Sequence, residues 1–451
     1  MASSSPSPPH VPMELHVANR QKLLNSLRHH LTDSSRPLHG FGGEEQTRHD
    51  TDHIELFRQE SYFAYLFGVR EPGFYGAIDI ATGESILFIP RLSADYAVWL
   101  GEIKPLSYFK ERYLVSVVYY TDEIAGVLHD HFQGSGKPLF LLHGLNTDSN
   151  KYAEPAEFEG MDKFETDLTT LHPILTECRV LKSELELALI QYANDISSEA
   201  HVESHLGNAC RDKLMYLLLF YILIRHCSYT CICATGDNSA VLHYGHAAAP
   251  NDKTLEDGDM ALLDMGAEYH FYGSDITCSF PVNGKFTGDQ SLIYNAVLEA
   301  HNAVISSMKP GVNWVDMHIL AEKVILESLK KGSIIGMERR KEPGLRALRT
   351  IRELQEGMVI TVEPGCYFID ALLLPAMESS NTARFFNQEV IGRFKGFGGV
   401  RIESDVHVSA GGCKNMTKCP RKISEIEAVM AGAPWPIDKT SIYLENGREQ
   451  V

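Results

Sequence analysis

Apolar positions in the first half of the chain fall into short runs separated by amphipathic stretches. Runs rich in aromatic and branched residues predict strands, and apolar residues at helical spacing predict helices. The predicted strands are 61–67, 77–80, 85–89, 114–120 and 138–142, and the predicted helices are 94–100 and 122–132. This alternation of strands and helices predicts an α/β domain over residues 11–180.

The pattern changes beyond residue 180. Residues 183–201 carry Leu, Ile and Ala near helical spacing and predict a long helix. After residue 230, strand-like runs punctuated by Gly and Asp alternate with amphipathic helices. The runs are 240–246, 259–282, 357–368 and 396–408, and the helices are 287–308 and 313–329. We therefore expect a second mixed domain over residues 181–435.

Composition and charge restrict the class of partner. The chain of 451 residues is 44% apolar and 22% charged, which is typical of a globular protein. Its formal net charge is −18, and an acidic chain repels phosphate backbones, so nucleic acid is not expected as a partner. Its nine cysteines are scattered and odd in number, which does not indicate a disulfide framework and favours a cytoplasmic location.

Neither the start of the chain nor its longest apolar run indicates a membrane protein. Residues 1–10, MASSSPSPPH, are rich in Ser and Pro and predict a disordered tail without the features of a signal peptide. The apolar run 214–224, LMYLLLFYILI, is too short for a membrane-spanning helix, which needs about 20 residues. We expect a buried helix or strand there and no membrane contact.

Two aspartates lie in apolar strand-like runs that a turn separates. Asp264 and Asp275 fall on neighbouring strands if the turn at 269–273 closes a hairpin. A carboxylate among apolar neighbours costs free energy unless a cation or hydrogen-bond donors satisfy it. Taken alone, these two residues favour a turn-capping or salt-bridged pair over a metal site.

Two glutamates strengthen the interpretation as a metal site. Glu363 ends the run MVITVE, and Glu403 lies in GGVRIESDV, so both are also expected in buried strands. Four negative charges in one interior require strong positive compensation, which divalent metals supply. Two Asp and two Glu offer oxygen ligands suited to manganese, cobalt or zinc in a paired site. Such a pair of metals promotes hydrolysis of an amide bond.

The motifs around these carboxylates resemble a known family. The chain is similar to the Xaa-Pro dipeptidases, or prolidases, of the pita-bread peptidase family, in their eukaryotic cytosolic form. The strings that carry the resemblance in the second half are AVLHYGH, LLDMGAEYHFYGSDITCSFP, TVEPGCYFID and GFGGVRIE. In the first half they are FRQESYFAYLFGVREPGFYGAIDIATGESILFIPRL and GLNTDS. The resemblance implies an α/β N-terminal domain followed by an α+β pita-bread catalytic domain.

The resemblance also implies an activity and a set of ligands. It implies a homodimer with two manganese ions per subunit that hydrolyses dipeptides ending in proline or hydroxyproline. Four of the family's five metal ligands match this chain, with Asp275 and Glu403 bridging both metals, Asp264 binding one metal and Glu363 binding the other. No residue of this chain is assigned as a catalytic acid or base.

Two further residues match substrate-binding positions of the family. His243, in LHYGH, matches a histidine that contacts the dipeptide, although a structural strand histidine is the alternative. Arg349, in GLRALRT, matches the arginine that binds the substrate carboxylate, a task suited to a guanidinium fork. An Arg in a charged run is otherwise most often solvated. We interpret the nearby His246 as structural.

The chain departs from the family pattern at two places. The family's fifth ligand is a histidine in a glycine-rich segment resembling PHGLGH, and a second histidine follows it. This chain runs from GSIIGMERRK directly into EPGLRALRT and has no histidine between His318 and His407. The second departure is the apolar stretch between His201 and Cys227. We therefore expect a catalytic domain disrupted by a missing segment, with one metal site weakened.

The sequence leaves several functions open. The chain is an active Xaa-Pro dipeptidase, an impaired one, or an inactive isoform that acts as a dimer partner or binding protein. An alternatively spliced product or an imperfect gene model would explain the two local breaks. A creatine-type amidinohydrolase or an aminopeptidase fits TVEPGCYFID and GFGGVRIE less well. An unrelated binding module leaves four buried carboxylates unexplained.

Overall fold

The computed structural model of this chain describes residues 8–31, 37–132, 138–207, 226–245, 250, 253–335 and 350–436. Four of the expectations lie outside these residues: most of the tail at 1–10, the apolar run 214–224, His246 and Arg349. The chain divides into two compact units, the first being His10–Leu181 and the second beginning at Lys182. Among the described helices, none combines the length and apolarity needed to cross a membrane.

The first unit is built around a mixed six-stranded sheet. Its helices are α1 (Glu14–His30), α2 (Ser61–Phe67), α3 (Ala97–Leu100), α4 (Leu106–Tyr113), α5 (Ile124–Phe132) and α6 (Leu171–Val180). Its strands are β1 (Pro37–Phe41), β2 (Tyr75–Asp79), β3 (Ser85–Ile89), β4 (Val117–Tyr120), β5 (Leu139–Leu141), β6 (Leu145–Asn146), β7 (Lys151–Tyr152) and β8 (Thr166–Asp167). The sheet order is β4-β3-β2-β1-β5-β8, and β6 pairs with β7 separately. The expected α/β architecture is confirmed.

One predicted strand of this unit is a helix. The prediction for residues 61–67 is wrong, because these residues form α2. The Glu60 carboxylate accepts hydrogen bonds from the backbone N–H groups of Tyr62 and Phe63 at 3.0 and 2.7 Å, and Gly68 ends the helix in the left-handed conformation at φ 66°. Burial of the aromatic side chains within a core, together with these two caps, outweighs their preference for strands.

The second unit combines small antiparallel sheets with surrounding helices. Its helices are α7 (Glu184–Gly207), α8 (Gly288–Ser307), α9 (Trp314–Lys331), α10 (Asp370–Glu378), α11 (Gln388–Gly392) and α12 (Ile423–Met430). Its strands are β9 (His226–Cys227), β10 (Ile232–Thr235), β11 (Met260–Asp264), β12 (Ala267–Tyr269), β13 (Tyr272–Gly273), β14 (Thr277–Pro281), β15 (Val359–Val362), β16 (Gly365–Tyr367), β17 (Gly399–Arg401), β18 (Ser404–Ser409) and β19 (Gly412–Asn415). The sheets are β10-β11-β14, β13-β12-β9, β15-β18-β19 and β16-β17.

Local signals in the sequence define the two long helices after β14. A capping box begins α8, in which Thr287 and Gln290 exchange side-chain-to-backbone hydrogen bonds. The Asn313 side chain caps the start of α9 by accepting from the N–H of Val315 at 2.8 Å. Both helices were expected from their periodicity, and their observed limits agree with it to within two residues at each end.

A second predicted strand is replaced by turns. The strand expected over 240–246 is wrong for its described residues, because a 3-10 helix at Gly236–Ala240 leads into a series of turns. Backbone hydrogen bonds there are local, since the N–H of Val241 donates to the carbonyl of Asn238 at 3.0 Å. Val241 is 52% exposed, so its apolar side chain does not extend a buried strand. In the described part of the chain, no disulfide joins any of eight cysteines.

Candidate metal centre

A hairpin brings Asp264 and Asp275 together. Asp264 is the last residue of β11, which pairs with β14 so that Asp264 lies opposite Thr277. Asp275 comes two residues before β14. Between the two aspartates, β12 and β13 form a smaller hairpin whose turn residues His270 and Phe271 have φ values of 45° and 70°. A turn with two positive φ values matches the twist of its flanking strands, and it returns the chain to the start of β14.

Glu403 joins the aspartates from a distant part of the chain. It lies between β17 and β18 and is 1% exposed. Its backbone N–H donates to the carbonyl of Thr277 at 3.1 Å, and its carboxylate Oε2 accepts from the Thr277 hydroxyl at 2.7 Å. These two bonds fix both the backbone and the carboxylate of Glu403 beside the start of β14.

The three carboxylates form one compact group. Asp264, Asp275 and Glu403 each offer a ligand oxygen, and these atoms lie within 4.8 Å of one another. Asp264 and Glu403 are buried, whereas Asp275 is partly exposed. Hard divalent cations prefer such a set of carboxylate oxygens. The donor set therefore fits a divalent cation.

Glu363 and His243 are placed differently from this group. Glu363 follows β15 directly and is exposed, so the expectation that it is buried is wrong. Its carboxylate is not part of the compact group of Asp264, Asp275 and Glu403. Its negative charge nevertheless contributes to raising the pKa of Glu403. His243 is exposed in the turn that follows the 3-10 helix. Arg349 lies outside the described residues.

Two donors hold both oxygens of Asp264. Arg401 donates through Nη2 to Oδ2 of Asp264 at 2.6 Å, and the Tyr229 hydroxyl donates to Oδ1 at 2.6 Å. Arg401 also donates through Nε to the Thr277 hydroxyl at 3.1 Å and through Nη1 to the Tyr367 hydroxyl at 3.1 Å. The guanidinium thus links the end of β11 with the start of β14.

The sequence pattern does not single out Arg401 or Tyr229 as site residues. A signal for Arg401 exists, because it is two residues before Glu403 in GGVRIE, and alternate residues of an extended segment face the same side. A buried cation is expected beside a buried anion. No comparable signal exists for Tyr229, whose contact with Asp264 arises only when β9, β10 and β11 come together.

Burial and mutual repulsion dominate the electrostatics of the group. Burial, followed by the charges of Asp275, Glu363 and Asp264, raises the pKa of Glu403 well above its ordinary value. Burial and the charge of Asp264 also raise the pKa of Asp275. The Tyr229 pKa is raised for the same reasons, so its phenol remains a hydrogen-bond donor. Arg401 is bonded to Asp264, and the charge of Arg421 also acts on Glu403, so two guanidinium groups offset part of the charge of the three carboxylates. A divalent cation would offset the remainder.

Comparisons with known proteins bear on both units. The family model described as metallopeptidase family M24 matches residues 179–410, and the model of the aminopeptidase P N-terminal domain matches residues 16–140. The human Xaa-Pro dipeptidase is 48% identical over 469 aligned positions, which cover 94% of each chain. The mouse Xaa-Pro dipeptidase is 47% identical, with 96% of this chain and 95% of that protein covered.

Solved structures share the same fold. The aminopeptidase PepP of Pseudomonas aeruginosa has a TM-score of 0.72 at 25% identity, with 94% of this chain and 98% of that chain covered. The low-pH form of aminopeptidase P from E. coli has a TM-score of 0.73 at 24% identity, with 94% and 99% covered. These matches confirm the expected fold class, an α/β N-terminal domain followed by a pita-bread catalytic domain.

Proposed function

Because this chain belongs to the Xaa-Pro dipeptidases of metallopeptidase family M24, we propose that it binds divalent manganese through Asp264, Asp275 and Glu403 and hydrolyses dipeptides that end in proline or hydroxyproline. The observation that carries the proposal is the group of three carboxylate oxygens within 4.8 Å of one another. When bound, a divalent cation supplies Lewis-acid polarisation of a carbonyl and a nucleophile at neutral pH.

The residues around the carboxylates orient them for this task. Arg401 and Tyr229 fix the two oxygens of Asp264, and Thr277 fixes one oxygen of Glu403. Of the two side chains that bond Asp264, Arg401 is buried and Tyr229 is partly buried. The ligands are therefore positioned before a cation arrives, which lowers the free-energy cost of ordering them on binding.

Glu363 is the proposed ligand of a second, weaker cation together with Asp275 and Glu403. The family's histidine ligand has no counterpart in this chain, so this second cation lacks its nitrogen donor. The exposure of Glu363 and its position outside the compact group support a weakened second site. His243 and Arg349 are the proposed contacts of the dipeptide.

The comparison with the human relative supports a missing internal segment. The alignment extends over 469 positions, which exceeds the 451 residues of this chain, although it covers only 94% of them. The alignment therefore contains positions at which this chain has no residue. We propose impaired hydrolysis for this reason. The second candidate function, an inactive isoform that pairs with an intact subunit or binds peptide, rests on the same observation.

A combined measurement of bound metal and hydrolysis tests these proposals. The metal-free chain is incubated with Mn²⁺, and bound metal is counted beside the release of proline from glycyl-proline. We expect about one tightly bound ion per chain and little turnover. Two bound ions with full activity would contradict the proposed impairment, and the absence of bound metal would overturn the metal site itself.

Two matched aspartate variants make the measurement specific. Asp275→Asn removes a proposed ligand, whereas Asp289→Asn removes an acid on α8 that pairs with Arg393 on the surface. We expect loss of bound metal in the first variant only.

Sequencing the transcript across codons 331–345 distinguishes a skipped exon from an uninterrupted reading frame, and a frame without a skipped exon would refute the proposed splicing. Size-exclusion chromatography with light scattering tests the proposed homodimer, and cell fractionation tests the cytoplasmic location.

A further inference from the structure

Helix α7 carries buried polar residues on the side that faces the aspartate hairpin. Asn194, Ser197 and His201 follow one another at spacings of three and four, so they share one face of the helix. All three side chains are buried. A buried polar side chain costs free energy unless hydrogen bonds satisfy it, so the partners of these residues indicate what the face does.

His201 links the two backbone segments that carry the aspartates. Its Nε2 lies 3.3 Å from the carbonyl oxygen of Met265 and 3.0 Å from that of Ile276. Because both partners are acceptors, Nε2 carries the proton and donates to both. Met265 follows Asp264 directly, and Ile276 follows Asp275 directly. One N–H group therefore joins the residues immediately after each proposed ligand.

The other two residues of the face contact the same segments. The Ser197 hydroxyl oxygen accepts from the N–H of Ala267 at 2.9 Å and lies 2.8 Å from the hydroxyl oxygen of Ser274. Asn194 donates to Oδ2 of Asp405 at 2.9 Å, and the same oxygen accepts the N–H of Asp275 at 2.9 Å. The helix thus holds both arms of the hairpin next to Asp264 and Asp275.

We propose that His201 is a positioning residue that sets the separation of Asp264 and Asp275 for cation binding. This inference rests on the proposed metal site. His201 does not contact the carboxylates, and it acts only through the two backbone carbonyls. Residues that orient metal ligands in this indirect way typically change metal affinity by about 10- to 100-fold when they are removed.

His205 provides a matched control on the same helix. It lies one turn beyond His201 and is equally buried. Its Nδ1 is 2.5 Å from the carbonyl oxygen of His201 within the helix, and its ring centroid is 4.3 Å from that of Phe280. These contacts are with its own helix and with β14, away from the residues that follow the two aspartates. Substituting His205 therefore disturbs the core without removing the link between the aspartate segments.

The test measures Mn²⁺ affinity of the metal-free protein by calorimetry and by the electron paramagnetic resonance signal of unbound Mn²⁺. We expect His201→Leu to weaken binding by about 10- to 100-fold. His201→Gln retains an amide N–H at a similar reach and is expected to recover affinity close to that of the wild type. His205→Leu is expected to lower the melting temperature and leave the affinity unchanged.

Each result decides the inference. Wild-type affinity in His201→Leu, or an equal loss in His205→Leu, would overturn it. If His201→Leu does not fold, His201→Asn takes its place, because the shorter Asn amide does not reach the carbonyls of both Met265 and Ile276. A folded His201→Asn with unchanged Mn²⁺ affinity would also overturn the inference. Failure of the wild type to bind Mn²⁺ would refute the proposed metal site instead, so the two failures are distinguishable.

Discussion

Arg401 and Asp264 form a buried ion pair in which Nη2 of the arginine lies 2.6 Å from Oδ2 of the aspartate. Their side chains are 6% and 11% exposed. Arg401 is the guanidinium that contacts the carboxylate group directly, so it carries part of the positive charge that a cation would otherwise supply. The pair therefore contributes to the stability of the metal-free chain as well as to the orientation of Asp264.

Removing Arg401 is expected to make folding depend on metal. Arg401→Met leaves Asp264 buried without its cation, so the free energy of unfolding in EDTA is expected to fall by about 3–5 kcal/mol. Added Mn²⁺ is expected to restore more stability to the variant than to the wild type, because the metal replaces the lost charge. Urea unfolding with and without Mn²⁺ measures this difference. Arg393→Met, which removes an exposed ion pair, serves as control, and equal metal-induced gains in all three proteins would contradict the prediction.

Removing the Tyr229 hydroxyl is expected to weaken metal binding. Tyr229→Phe retains the ring but leaves Oδ1 of Asp264 without its donor at 2.6 Å. Because the carboxylate is then less well oriented, we expect Mn²⁺ affinity to fall by about 10- to 100-fold in a calorimetric titration. Tyr65→Phe in the first unit removes a bond to the Cys178 carbonyl at 3.1 Å and is the control. A similar loss of affinity in both variants would exclude the specific role of Tyr229.

Neutralising Glu403 is expected to stabilise the metal-free chain while preventing metal binding. Like charges about 4–5 Å apart repel by several kcal/mol at an effective dielectric constant near 20, so we expect Glu403→Gln to raise the free energy of unfolding in EDTA by about 1–3 kcal/mol. Mn²⁺ is then expected to add nothing to the melting temperature. The surface variant Glu427→Gln, which affects an ion pair with Lys285, is expected to be nearly neutral in both conditions. A less stable Glu403→Gln in EDTA would show that the hydrogen bonds of this carboxylate outweigh its repulsion by the aspartates.

The first unit is expected to lose stability in mild acid through His16. Burial lowers the pKa of His16 from 6.5 to about 4. The folded state therefore disfavours the charged ring, so the stability is fully present above pH 6.5 and is lost as the pH falls towards 4. A shift of this size corresponds to about 3 kcal/mol.

Urea unfolding between pH 7 and pH 4 measures this dependence. His16→Asn keeps an N–H near the carbonyl of Tyr65, which His16 contacts at 3.0 Å, but does not titrate. The variant is expected to be less stable at neutral pH and to show a shallower decline in acid. Equal slopes for the two proteins would rule out His16 as the responsible group.

The sequence predicts most elements of this fold because their signals are local. Periodicity together with the Thr287 and Asn313 caps locates α8 and α9 closely. Prediction from local signals fails for residues 61–67, because their aromatic composition favours a strand. Only the flanking Glu60 and Gly68 indicate a helix. Those caps are readable in the sequence, but their effect depends on a core that forms from distant segments.

The candidate site is predictable to a similar extent. Asp264, Asp275 and Glu403 are recognisable because a carboxylate in an apolar stretch of sequence requires a partner, and the structure brings their oxygens together. The exposure of Glu363 is not predictable in this way, because it depends on how the chain turns after β15. The contacts of Tyr229 and His201 arise from tertiary packing between elements far apart in the sequence, so no local sequence pattern predicts them.

The dispersed origin of the carboxylate group affects how it forms during protein synthesis. Thr277 and Glu403, whose side chains are hydrogen-bonded, are 126 residues apart, whereas the two aspartates belong to one hairpin. At a translation rate of about 5–20 residues per second, Glu403 leaves the ribosome roughly 6–25 seconds after the hairpin does. A nascent chain therefore exposes the paired aspartates before their third partner exists, so the complete group of three carboxylates forms late in its biogenesis.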